Sequence, residues 1–149
     1  MRIRILFLFT IFSVLSFAQE KVQDSITRKK ITAVKLEKAP KIDGNLDDDA
    51  WKNIPIAKDF IEFRPNNGKA EDADFKSEVK IAYDDTGIYV SAMLYDKEPS
   101  KISKELTERD NIGNDDFFVL FLNGYNDKQQ SLELFVTAAG VQADSKITY

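Results

Sequence analysis

The feature that most limits the fold of this chain is a series of short apolar stretches in its second half, each closed by a glycine or Asx turn. Val79, Ile81 and Tyr83 alternate with Lys80 and Ala82, then Asp84-Asp85-Thr86-Gly87 turns the chain into residues 88–95, the clearest β-hairpin in the sequence. Phe117–Leu122 is a continuous apolar run, which predicts a strand buried on both faces. Residues 123–127 supply another turn, and Leu132, Leu134 and Val136 alternate with Glu133, Phe135 and Thr137 on the return. Gly140 permits a further reversal into residues 141–144 and the closing Ile147-Thr148-Tyr149. Many short strands with tight turns between them give an all-β expectation, an antiparallel β-sandwich of jelly-roll type.

The first half is less regular. Residues 31–36 suggest an opening strand ended by Pro40, and Ile42-Asp43-Gly44-Asn45 is a turn signal. A short helix is predicted next, capped by Asn45, with Leu46, Ala50 and Trp51 on one face. Trp51, the single tryptophan, is expected in the core. The segment Asp43-Gly44-Asn45-Leu46-Asp47 resembles the start of an EF-hand loop but lacks its glycine and its final glutamate, so a turn explains it. Residues 96–114 form the longest polar connection, with a brief helix predicted over 101–108.

Met1-Arg2-Ile3-Arg4, the apolar residues 5–15 and the small residues Ser16 and Ala18 read as a secretory signal peptide over 1–18. Residues 19–30 read as a flexible leader and 31–149 as the folded domain. The strand pattern runs to Tyr149, so the domain is expected to be incomplete and joined to the remainder of a longer polypeptide. Export predicts the periplasm, the outer membrane or the extracellular space.

Composition removes several chemistries. The 149 residues include no histidine and no cysteine, which excludes Ser–His and Cys–His nucleophiles and histidine-based zinc sites. Stability must come from burial rather than disulfides. The net charge of −4, made more negative by loss of Arg2 and Arg4 with the signal, argues against nucleic acid as a partner. Carboxylates, lysines, tyrosines and oxygen-ligand metals remain. No pair among the 25 acidic residues stands out as a buried glycosidase couple, so no catalytic residue is assigned.

Three stretches together resemble the family 9 carbohydrate-binding modules: Ile42-Asp43-Gly44-Asn45-Leu46-Asp47 with Trp51, the hairpin from Val79 to Asp96, and Asp115-Asp116 leading into Phe117–Leu122. The likeness covers about residues 31–149 and is similar in detail to the N-terminal module of large Gram-negative envelope proteins, which carry an Arg-Asp pair and a Gly-Val-Gln-x-Asp sequence, here Arg109-Asp110 and Gly140-Val141-Gln142-Ala143-Asp144. The resemblance implies a non-catalytic β-sandwich, attached to secreted proteins linked to polysaccharide breakdown, that binds a polysaccharide or glycoconjugate and carries structural calcium. Sugar-binding members place a tryptophan ahead of the central strand, where this chain reads Asn111-Ile112-Gly113-Asn114.

The candidate carbohydrate-binding residues are Arg109 and Asp110, a pair suited to sugar hydroxyls, and Tyr95 as an aromatic platform. Tyr89 and Tyr125 are the competing platforms. Asp96 and Asp116 are the candidate calcium ligands, since strand-end carboxylates suit a hard cation. Two other functions stay open: an interaction domain of an envelope protein without sugar binding, marked by a contiguous apolar patch, and a glycoside hydrolase.

Overall fold

The turn at residues 84–87 fixes the register of the first sheet. Asp84 Oδ1 accepts the N–H groups of Thr86 at 2.7 Å and Gly87 at 2.9 Å and the Thr86 hydroxyl at 2.7 Å, while Oδ2 accepts the Tyr89 hydroxyl at 3.0 Å. These bonds, led by that of the Thr86 side chain, hold the Asp84 carboxyl below its ordinary value. A depressed folded value means the contribution is complete above the ordinary aspartate value and is lost as pH falls through the lower one. NMR is expected to show the Asp84 carboxyl titrating below the usual aspartate range, and Asp84→Asn to remove the acid-range change in the hairpin's amide shifts. A midpoint at the usual aspartate value would show that the turn does not bind its carboxylate.

The computed structural model describes residues 29–149, and one compact unit runs Ile31–Tyr149. The signal-peptide segment lies outside the described residues. The strands are β1 (Val34–Lys35), β2 (Ser77–Tyr83), β3 (Ile88–Leu94), β4 (Phe117–Leu122), β5 (Gln130–Thr137) and β6 (Gln142–Thr148). They form two three-stranded sheets, ordered β1-β2-β3 and β4-β5-β6. β1 pairs parallel with β2, and the other neighbours are antiparallel. Clefts lined jointly by β3, β4 and β5 place the sheets face to face, so the domain is an all-β sandwich. Both sequence-evident hairpins are present, and Gly140 takes φ 83° in the β5–β6 reversal, a conformation open to glycine.

The tightest core lies on the outer face of the first sheet. Ala82 points to that face together with its partners Val34 and Tyr89, and Trp51 and Ile54 pack on it with Leu36. Trp51 is 3% exposed, as its apolar spacing predicts, and its carbonyl accepts a 2.8 Å bond from Lys80 Nζ. The opposite faces of the two sheets meet less closely.

Three local expectations are corrected. The predicted helix at Trp51 is a single 3₁₀ turn, Asp49–Trp51, preceded by Asp48 with no side-chain cap. Asn45 cannot serve because it lies four residues ahead of the turn, in an Asx turn of its own where its N–H bonds Asp43 Oδ1 at 2.9 Å. In the long connection only Pro99–Lys101 is helical, again 3₁₀, since Ser103 is drawn out to the acids at the start of β4. β4 is an edge strand rather than a doubly buried one: Phe117 and Phe121 are exposed, because nothing among the described residues covers that side of it fully. An apolar run records what a strand can bury, not what its neighbours supply.

Candidate functional site

The end of β3 and the start of β4 meet at one rim of the sandwich. Tyr95 continues the β3 pairing through its N–H to the Lys76 carbonyl at 2.8 Å, which fixes its backbone and leaves its side chain 48% exposed. Its hydroxyl reaches Glu78 Oε2 at 3.5 Å. Tyr95, Asp96 and Asp116 line a cleft of about 640 Å³ whose floor is Val90, Ala92, Leu94, Ile102, Phe118 and Val136. That volume suits a small ligand, with two carboxylates in the lining to orient it.

The carboxylates are held from behind. Asp96 Oδ1 accepts the Glu98 N–H at 2.6 Å and Asp116 Oδ2 the Ser103 N–H at 3.4 Å, leaving one oxygen of each for a ligand. The Ala138 N–H to the Asp116 carbonyl at 2.9 Å ties this start of β4 to the end of β5. Next to it Asp115 is 6% exposed, and its Oδ1 accepts the Ser103 hydroxyl at 2.6 Å. Its Oδ2 is buried with no hydrogen-bond partner among the described residues. Asp115 therefore ties the long connection to the rim, a role the sequence signals only as an acid abutting an apolar run.

Asp96 and Asp116, the two candidate metal ligands, thus lie on one cleft together with Tyr95. Calcium needs six to eight oxygens, and no group of three or more acidic, histidine or cysteine side chains suited to a metal occurs among the described residues.

Arg109 and Asp110 sit elsewhere, against β6. Arg109 Nη2 donates to Asp144 Oδ1 and Nη1 to Gln142 Oε1 at 3.3 Å. The Asp110 N–H bonds the Gln142 carbonyl at 3.0 Å, and Asp110 Oδ1 accepts the Asp144 N–H at 3.3 Å. The Arg-Asp pair and the Gly-Val-Gln-x-Asp sequence are therefore two halves of one clasp that holds the long connection to β6. Because the Arg109–Asp144 pair is more than half exposed, Arg109→Ala is expected to change the unfolding free energy by less than about 1 kcal/mol. Urea denaturation measures this, and a loss of several kcal/mol would show the clasp to be structural in its own right. Of the competing tyrosines, Tyr89 is taken into the core and bonded to Asp84, and Tyr125 stands on the β4–β5 turn.

An all-β domain of two facing three-stranded sheets belongs by architecture to the β-sandwich domains. The family model described as carbohydrate family 9 binding domain-like matches residues 42–148, most of the chain, and the chain belongs to that family. No curated protein and no solved structure matches it.

Proposed function

We propose that this domain binds a saccharide without transforming it, at the rim formed by Tyr95, Asp96 and Asp116. The observation that carries the reading is a ligand-sized cleft whose lining includes an exposed tyrosine and two carboxylates, each with a spare oxygen. The apolar C–H face of a pyranose packs on the Tyr95 ring, and its hydroxyls donate to Asp96 and Asp116. The family match supports the same ligand class. On this reading the domain serves an exported protein of the cell envelope or exterior that holds or processes polysaccharide, and the clasp at Arg109 and Asp110 braces the site from outside it.

Calorimetric titration of the protein with cello- and xylo-oligosaccharides, in calcium and again with chelator, tests this. Saturable heat is expected in both conditions, because the rim carboxylates accept hydroxyls directly. Heat that vanishes with chelator would instead place calcium between Asp96 and Asp116, and no heat with either ligand would refute binding of these saccharides.

A further inference from the structure

The charge of the rim cleft is one-sided. Asp96 stands two residues past Leu94 of β3 and Asp116 two residues ahead of Phe118 of β4, so each carries on the alternate positions that line the space between the sheets. No lysine, arginine, asparagine or glutamine lines the cleft with them, and apart from Tyr95 and Thr137 the rest of its lining is apolar. The basic residues on either side of this segment are engaged elsewhere. Lys97 Nζ donates to Asp74 Oδ2 at 3.1 Å and stands 5.4 Å over the Phe75 ring, and Lys101 Nζ pairs with Glu98 Oε1 at 2.7 Å. Among the described residues no ion pair reaches Asp96, Asp115 or Asp116. Asp115, 6% exposed beside Asp116, adds a third acid, and its Oδ2 has no hydrogen-bond partner among the described residues.

A ligand that enters this cleft strips water from both carboxylates. A sugar hydroxyl returns a hydrogen bond but no charge, so much of the cost of desolvating the two anions remains. An ammonium group returns both, because it carries three N–H donors and its bonds to carboxylates are charge-assisted. A sugar acid brings a further negative charge to a lining with nothing to balance it, which acts against its binding. Three sugar classes of one shape are thus ranked by charge alone.

We propose that the rim selects an amino sugar, a saccharide unit bearing a protonated amine, over its neutral and anionic counterparts, and that Asp96 and Asp116 set this preference. The inference rests on saccharide binding at the rim and adds the class of saccharide. The backbone N–H groups of Glu98 and Ser103 hold Asp96 Oδ1 and Asp116 Oδ2, and the ammonium donates to the oxygens they leave free.

The test is calorimetric titration of the protein with three β-linked glucose-type oligosaccharides of one length that differ only in the group on the second ring carbon: a protonated amine, an acetamide or a hydroxyl. Low salt, chelator and a pH of about 6 keep divalent cations away, the amine charged and the carboxylates ionised. The amine form is expected to bind about tenfold more tightly than the other two, with the margin shrinking as salt is added. Asp96→Asn and Asp116→Asn keep an oxygen for the Glu98 or Ser103 N–H. Each is expected to cut the margin to about threefold or less, while affinity for the hydroxyl form moves by less than about twofold. An amine form that binds no more tightly than the hydroxyl or acetamide form would overturn the proposal and leave saccharide binding at the rim in place. A margin that neither variant moves would also overturn it, by assigning the preference to the acidic surface as a whole. No saturable heat from any of the three would remove the saccharide reading and this proposal with it.

Discussion

Trp51→Ala is expected to lower the unfolding free energy by about 3–5 kcal/mol, the range for emptying a large aromatic from a packed site. The effect is large because so little else is buried. Trp51, Ile54 and Ala82 are the buried members of one cluster, with Val34, Leu36 and Tyr89 packed around it, and the indole is its largest side chain. The indole also fixes the 3₁₀ turn whose carbonyl receives Lys80, so its loss loosens a link to β2. Trp51→Phe keeps an aromatic in place and should cost clearly less. Urea unfolding followed by circular dichroism gives both values, and a loss below about 1 kcal/mol for the alanine variant would show that the cluster is not the domain's main anchor.

Tyr95→Ala is expected to weaken saccharide binding at least tenfold, about 1.4 kcal/mol, while leaving stability nearly unchanged. The ring is half-exposed in the free domain, so little folded-state packing is lost with it, whereas a pyranose stacked on it loses its platform. Tyr95→Phe separates the two parts of the side chain. Its hydroxyl meets Glu78 only at 3.5 Å, the outer limit for a hydrogen bond, so the phenylalanine variant should bind nearly as tightly as the parent. Equal affinity in the alanine variant would remove Tyr95 from the site. A comparable loss in the phenylalanine variant would make the hydroxyl, not the ring, the binding group.

The hairpins were legible because their signal is local. Tyr83 to Ile88 is spanned by an Asx turn whose bonds are all within six residues of chain, and the alternation on either side sets the face each residue takes. The burial of Trp51 followed from the apolar residues near it. The helix at that point did not form because Asp43 and Asp48 spend their carboxylates on the N–H groups of Asn45 and Lys41, a competition that spacing alone does not decide. The site was legible only in part. Tyr95, Asp96 and Asp116 were identifiable as strand-end residues, but their meeting at one cleft depends on how the two sheets face, which is a long-range property. For the same reason Arg109 and Asp110, adjacent in the chain to the rim-forming connection, prove to be committed to β6 more than thirty residues away. The apolar run of β4 gave its strand but not its place at a sheet edge, since edges are set by partners and not by the strand itself.

A saccharide at the Tyr95 rim is tested most directly by amide chemical-shift mapping of the isotope-labelled protein during titration with cello- and xylo-oligosaccharides. Saturable shifts are expected at Tyr95, Asp96, Ser103 and residues 115–117, with little movement at Arg109, Gln142 or Asp144. Shifts centred on the Arg109 clasp, or none anywhere at saturating ligand, would contradict it.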